Sequence, residues 1–450
     1  MRIHFIAIGG SAMHNLAIAL HNKGYIITGS DDTIFEPSKS RLEARGLLPS
    51  EFGWFEDKIS SEIDAVILGM HAKADNPELL KAKALGLKVY SYPEFLFEQS
   101  KHKTRVVIGG SHGKTTITSM ILHVMNYHNR DVDFMVGAQL EGFDVMVKLT
   151  DESDFIVLEG DEYLSSPLDP RPKFHLYKPN IALLSGIAWD HVNVFPTMDD
   201  YIKQFKIFID SIVEGGSLTF NAEDKILAEI VADSQNQIRK LSYNTPDYFI
   251  ENGQTYINTE EGELPVEVFG AHNLNNLEGA KWICQHMGID ETDFYEAITS
   301  FKGASKRLEL IGLGKNSAIF KDFAHSPSKV KATTHAVKSQ FLDRELIACI
   351  ELHTYSSLDP VFIKEYKDTL HYADEAIVFY SSKALEIKKK TPIPTQDIRD
   401  AFNKNIKVFS NSEELKEYLM SKSLSNTNLL FMSSGNYGGL VLEDFVEKLV

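Results

Sequence analysis

The sequence predicts an α/β protein of three domains, on three observations. Short apolar runs of strand character, among them Ile3–Ile8, Asp64–Leu68, Val106–Ile108, Phe155–Leu158, Ile181–Leu184, Ile319–Phe323, Leu346–Ile350, Ala376–Phe379 and Leu429–Met432, recur with helical patterns between them, and that alternation builds largely parallel sheets. A length of 450 residues suits about three domains. Polar, lysine-bearing stretches at 99–104 and 312–316 interrupt the pattern and each precedes a new strand, which divides the chain into 1–103, 104–313 and 314–450.

Composition narrows the partners. A content of 43% hydrophobic and 24% charged residues is that of an ordinary globular protein, and a formal charge of −17 argues against nucleic acid or an anionic membrane as the main partner. A polyphosphate site in such a chain has to be a local positive patch. Cys284 and Cys349 cannot form a disulfide framework, which fits a reducing cytoplasm. Met1 to Ile8 reads as a strand rather than a signal peptide, and no run approaches the roughly eighteen apolar residues that span a bilayer. Asn252-Gly253 and Glu261-Gly262 mark residues 248–268 as a solvated hairpin in the middle domain, and Lys388–Lys390 beside Pro392 reads as a surface loop.

Taken from the N-terminus, the first strand breaks into Gly9-Gly10-Ser11-Ala12-Met13 and a helix, and the second ends at Asp31-Asp32. A glycine turn followed by an acid is how doubly wound domains hold a nucleotide; a turn that binds nothing is the alternative, since alanines stand at 7 and 12 where the dinucleotide pattern has glycines. Residues 105–120 carry the strongest signal. The β-branched run Val106–Ile108 gives way to Gly109, Gly110, Ser111, His112 and Gly113, and Lys114-Thr115-Thr116 then opens an amphipathic pattern. Glycines let backbone N–H groups turn inward, the helix adds its positive end, the ammonium reaches outer phosphates, and a hydroxyl at Thr115 or Thr116 can ligate magnesium. Gly109 and Gly113 enclose three residues where the common phosphate loop has four.

Downstream, Glu159-Gly160-Asp161-Glu162 follows one strand and Asp190-His191 another, where such folds keep magnesium ligands and water-orienting groups. Three carboxylates within four residues repel one another, and a metal is the natural cation among them. His191 can ligate a second magnesium, hydrogen-bond the transferring phosphoryl group, or cap the next turn. Gly270 to Asn276, including His272 and Asn273, opens a helix with amides suited to capping or to an adenine edge. Lys306-Arg307-Leu308-Glu309 offers a guanidinium for phosphate, and Lys321-Asp322-Phe323-Ala324-His325-Ser326-Pro327 ends a strand with an acid, an imidazole and a hydroxyl before a helix-starting proline.

In this order the motifs resemble the Mur ligase family over essentially the whole chain. The matching pieces are Gly110 to Thr116, Glu159 to Glu162, Asp190-His191, Gly270 to Asn276, Arg307 to Glu309, and Asp322 to Pro327 with Phe323 for a tyrosine. The resemblance implies a Rossmann-like N-terminal domain, a central P-loop ATPase-type domain and a Rossmann-like C-terminal domain. It implies ATP and Mg2+ as cofactors, and UDP-N-acetylmuramate activated as an acyl phosphate and captured by an amine. It further implies Lys114, Glu159, His191 and Arg307 as catalytic, and Thr115, Glu159 and His191 as metal ligands. Gly110 to Thr116, His272, Asn273, Asn276, Arg307 and Asp322 would hold ATP; Gly9 to Met13, Asp31 and Asn76 the UDP-sugar; His325 and His353 the peptide. Phe205 stands where several members carry a carbamylated lysine, so no carbamate is implied, and Gly186 replaces a usual asparagine. Glu162-Tyr163, Asp169 to Phe174 and Ser433 to Gly439 resemble members that take L-Ala-γ-D-Glu-meso-diaminopimelate tripeptide, although Glu351 to Ser356 lacks an arginine for a peptide carboxylate. L-alanine as acceptor is the alternative, and an inactive nucleotide-binding relative a third. A monomer or weak homodimer is expected.

Overall fold

The computed structural model describes residues 1–138, 143, 145–304, 307–387, 391, 393–442, 446 and 449; Lys306, Lys388–Lys390 and Pro392 lie outside the described residues. The expected α/β class holds. Among the described residues five sheets form, and the three larger ones are each built mainly from parallel strands with helical crossovers. The first has four parallel strands in the order Ile26–Ser30, Arg2–Ile6, Ala65–Leu68, Lys88–Ser91. The second has seven, in the order Arg239–Tyr243, Ser217–Asn221, Ile181–Leu184, Thr104–Gly109, Phe155–Gly160, Asp133–Met135, Val147–Lys148, the last antiparallel to its neighbour. The third has six, in the order Glu309–Leu313, Ala318–Asp322, Thr427–Met432, Glu345–Glu351, Glu375–Phe379, Ile406–Phe409, the first antiparallel.

Two compact units result: residues 1–187, 202–243 and 282–289 form one, and residues 188–201, 244–281 and 290–450 the other. The first two sheets belong to the first unit and the third to the second. Residues 312–316, read from sequence as a joint, are the turn between Glu309–Leu313 and Ala318–Asp322 inside the third sheet. Two paired strands look like any other strand followed by a polar turn, so sequence does not reveal that both belong to one sheet. The hairpin expected at 248–268 gains a third strand and becomes an antiparallel meander, Tyr248–Glu251, Gln254–Thr259 and Gly262–Val266.

Parallel strands are covered on both faces, which is why they read as unbroken apolar runs: Val106, Val107 and Ile108 are fully buried, as are Ile156, Val157 and Leu158 beside them. Helix Lys114–Tyr127 buries Ile117, Met120, Ile121 and Val124 at helical spacing. The stretch at 99–104 is tied down rather than loose. Buried Arg105 donates from Nε to the Tyr177 carbonyl at 2.9 Å and from Nη1 to the Ser100 carbonyl at 3.1 Å, and Lys103 pairs with buried Asp133 at 2.9 Å.

Phe205 is fully buried, edge-on to Phe174 with ring centroids 5.6 Å apart, while Phe174 stacks on Phe208 at 4.7 Å. The position serves the core and leaves no room for a carbamate. Phe205→Ala is expected to lower unfolding free energy by about 3–5 kcal/mol, read from the denaturant midpoint. A loss under about 1 kcal/mol would contradict this packing.

Candidate functional site

Register brings the site of the first unit together. Gly109 lies opposite both Gly160 and Leu184, so three adjacent parallel strands end level and their following loops share one edge of the sheet. The loop 110–113 enters its helix through Gly113 in the left-handed region at φ 74°. Gly110 has φ 126°, and a Cβ there would sit 2.1 Å from Ser185 Oγ. The loop is closed from behind: Ser185 donates its hydroxyl to the His112 carbonyl, and Ser111 N–H donates to the Gly186 carbonyl at 3.0 Å. Gly186 itself has φ 150° with Asp224 Oδ2 3.0 Å from a would-be Cβ, which explains why asparagine is absent there. Ser185 was not singled out from sequence; a serine and glycine directly after a strand were the available signal.

Lys114 is largely buried, and its Nζ donates to the Gly110 carbonyl at 2.6 Å and to Glu162 Oε2 at 2.7 Å. Burial works against its charge, but Glu162, Asp161 and Glu159 together hold its pKa above the ordinary value. Thr115 Oγ1 donates to Glu159 Oε1 at 2.9 Å, and Gly137 N–H to Glu159 Oε2 at 2.9 Å. Lys173 Nζ pairs with Asp161 Oδ2 at 2.5 Å. Burial raises the Asp161 carboxyl, and Lys173, the largest opposing influence, brings it below the usual range.

Two lysines thus pair with two members of the acidic run, Glu162 and Asp161, while Glu159 accepts from the neutral donors Thr115 and Gly137. Lys173 lies eleven residues downstream of Glu162 and reaches back only through the hairpin Leu164–Ser166 and Asp169–Pro172, a contact sequence does not display. Thr115 and Glu159 still present two hard oxygens 2.9 Å apart. That pair fits Mg2+, which takes one or two protein oxygens and completes its shell with phosphate and water. Among the described residues no three His, Cys, Asp or Glu side chains converge into a self-sufficient metal site.

In the N-terminal sheet Asp31 sits at the glycine turn, as expected, and spends one oxygen on it: Gly9 N–H donates to Oδ2 at 2.7 Å. Burial, aided by neighbouring Asp32, holds this carboxyl above its usual range. Ala7, where glycine is the pattern, has φ 69°, so the turn keeps its left-handed geometry despite the side chain. Gly10 precedes helix Ser11–Asn22, which includes Ala12 and Met13. Asn76 is buried and caps helix Pro77–Ala84 by accepting from Leu79 N–H at 3.1 Å. A cavity of about 200 Å³ beside the first helix is lined by Asn15, Ser40, Arg41 and Arg45 among others, a recess bordered by two arginines that the sequence did not point to.

The second unit carries the remaining candidates. Asp322, at a strand end, accepts from Leu308 N–H at 2.5 Å and Ala324 N–H at 2.6 Å, and so clamps the segment bearing Arg307. The Arg307 guanidinium lies over the Phe323 ring, 4.6 Å from its centroid, so the phenylalanine in place of tyrosine supplies a π face. His191 has φ 55°, and its N–H donates to its neighbour Asp190 Oδ1 at 2.7 Å; Asp190 Oδ2 lies 4.0 Å from His325 Nε2. His272, Asn273 and Asn276 lie in helix Ala271–His286, with Asn273 Nδ2 donating to the Phe269 carbonyl at 3.0 Å; burial pushes the His272 imidazole down. His353 stands 3.6 Å from buried Glu351, whose other oxygen accepts from Ser433 Oγ and from Tyr437 N–H at 2.9 Å.

Burial, reinforced by Lys329 and opposed by Asp190, pushes His325 down from 6.5 to about 4. An imidazole held neutral in the folded state binds fewer protons there than in the unfolded chain, so stability should fall as pH drops from 6.5 towards 4 and stay flat above 6.5. Urea midpoints measured across that window should decline less steeply in His325→Gln. An identical slope in both proteins would rule out this contribution.

Two family descriptions match the chain: "Mur ligase family, catalytic domain" over residues 2–104 and "Mur ligase middle domain" over residues 108–283. A UDP-N-acetylmuramate–L-alanine ligase of Carboxydothermus hydrogenoformans is 30% identical over 97% of this chain and 94% of its own length. Among solved structures, the murein peptide ligase of Psychrobacter arcticus 273-4 superposes with a TM-score of 0.66 at 23% identity, covering 100% of this chain and 98% of the other. The UDP-N-acetylmuramate-alanine ligase of Thermotoga maritima gives 0.70 at 19% identity, covering 97% and 96%. The two structures share the three-domain fold. The chain belongs to the Mur ligase family, whose members are ATP-dependent ligases that form amide bonds in peptidoglycan synthesis.

Proposed function

We propose that this protein activates the lactyl carboxylate of UDP-N-acetylmuramate with ATP and transfers the acyl group to the amine of L-alanine. A carboxylate oxygen attacks the γ-phosphorus, ADP departs, and the acyl phosphate loses inorganic phosphate when the amine attacks its carbonyl carbon and gives up a proton. The observation that carries this reading is Lys114, a largely buried ammonium held at the level ends of three strands between the Gly110 carbonyl and Glu162. Phosphoryl transfer of this kind is mostly positioning and neutralisation of charge. Lys114 and the loop N–H groups from Gly110 to Thr116 would take the phosphates, aided by Arg307 on its Phe323 platform. Thr115 and Glu159, with His191, would hold Mg2+, which supplies further neutralisation of the phosphate charge when bound.

His272, Asn273, Asn276 and Asp322 would seat adenosine. Gly9 to Met13, Asp31 and Asn76 would seat the UDP-sugar, and His325 and His353 the acceptor. A domain limit near 103, a cytoplasmic location and a monomeric or weakly dimeric state complete the reading. No helix among the described residues is long and apolar enough to cross a membrane.

L-alanine leads as acceptor because the curated relatives at about 30% identity carry that activity in their names. The tripeptide L-Ala-γ-D-Glu-meso-diaminopimelate is the second reading. It is favoured by the likeness of Glu162-Tyr163, Asp169 to Phe174 and Ser433 to Gly439 to members that take that tripeptide.

Phosphate release from ATP with UDP-N-acetylmuramate and either acceptor separates these. Turnover with L-alanine is expected; turnover with the tripeptide alone would transfer the assignment to the second reading, and silence with both would indicate an inactive nucleotide-binding relative. Lys114→Ala should abolish phosphate release and leave UDP-N-acetylmuramate affinity within about threefold. Equal loss of both would mean that nucleotide and UDP-sugar are not held by separate residues.

A further inference from the structure

The cluster around Glu159, Asp161 and Glu162 contains a cation that the proposed reaction does not use. Lys173 follows the hairpin Leu164–Ser166 and Asp169–Pro172 and is locked alongside the acidic run by two backbone contacts: Lys173 N–H donates to the Tyr163 carbonyl at 2.9 Å, and Phe174 N–H to the Asp161 carbonyl at 3.1 Å. The next residue anchors it, since Phe174 is fully buried between Phe205 and Phe208. On the other side Tyr163 N–H donates to Asp161 Oδ1 at 3.1 Å, so Asp161 is held from both ends, with Lys173 on Oδ2 at 2.5 Å.

The charges can be counted. Glu159, Asp161 and Glu162 bring three negatives, Lys114 and Lys173 two positives, and each lysine has one carboxylate within 2.7 Å. Without Lys173, Asp161 keeps its charge and its backbone position, and of the two ammonium groups described in the cluster that of Lys114 is left beside both it and Glu162. An ammonium shared between two carboxylates is a poorer ligand for an incoming polyphosphate than one paired singly, and the polyphosphate meets one more uncompensated negative charge.

We propose that Lys173 is a positioning residue for nucleotide binding: by neutralising Asp161 it leaves Lys114 with a single carboxylate partner, Glu162, which a nucleoside di- or triphosphate displaces. This inference rests on the assignment of the loop 110–116 to nucleotide phosphates. It gives the stretch 169–174 a role in ATP affinity rather than in the choice of acceptor.

A charge-balance cycle tests it, with ADP binding to the full-length protein measured by calorimetry at fixed salt and melting curves recorded for every variant. Lys173→Met should weaken ADP binding ~10-fold, while Lys173→Arg should stay within ~3-fold. Asp161→Asn alone should bind ADP at least as tightly as the native chain, and the double variant Asp161→Asn/Lys173→Met should recover most of the lost affinity, because the net charge of the cluster returns to its native value. Failure of the double variant to recover, with its melting curve intact, would mean that Lys173 touches the nucleotide directly or acts through packing, and would overturn the proposal. Unchanged affinity in Lys173→Met would overturn it as well. A native chain that binds no ADP would instead remove the nucleotide assignment on which the inference stands.

Discussion

Charge balance at the level ends of three central strands is the constraint around which this site is organised. A chain with a formal charge of −17 has to receive a polyphosphate, and it keeps three carboxylates at the spot where that anion would sit. Such an arrangement is tolerable only if every carboxylate has a fixed counter-charge or donor of its own. The fold provides them one by one: Lys114 for Glu162, Lys173 for Asp161, and the Thr115 hydroxyl with the Gly137 N–H for Glu159. The partners come from three separate places in the chain: Lys114 with Thr115, Gly137, and Lys173. The balance is thus a property of the folded domain and would not survive loss of its register.

The same economy of groups recurs elsewhere. Asp31, Asn76 and Asp322 read from sequence as ligand contacts, and each also holds backbone in place: the glycine turn at Gly9, the start of helix Pro77–Ala84, and the segment around Leu308. A buried carboxylate or amide at a strand end must satisfy its oxygens somewhere, and the nearest orphan donors are the N–H groups of the turns that would receive the ligand. Rigid turns are what a nucleotide site requires, so support and binding are compatible uses of one side chain. Phe323 and Gly186 show that departures from a family pattern can be local solutions. The ring gives Arg307 a face to lie on, and the glycine occupies a backbone conformation that a side chain would strain beside Asp224.

In the C-terminal unit the absence of an arginine from Glu351 to Ser356 is already plain in the sequence. In place of an arginine the unit sets His353 beside buried Glu351, whose carboxyl burial tends to raise and whose contacts with His353, Ser433 and the Tyr437 N–H bring below its usual range. An imidazole beside a buried carboxylate is a different group from a guanidinium fork, which would hold a carboxylate with two parallel donors.

Sequence by itself determined the class of fold, most strand positions, the phosphate loop and the order of the motifs. Those features are local: apolar periodicity, glycine at turns that need it, and Lys-Thr-Thr at a helix start are written in contiguous residues. Tertiary structure alone decided that 309–313 and 318–322 share a sheet, that Ser185 closes the loop from behind, that Arg105 ties down the stretch after residue 99, and that Lys173 folds back onto Asp161. Each of these depends on which distant strands become neighbours and in what register, and one sequence carries no direct mark of pairing between residues far apart in the chain.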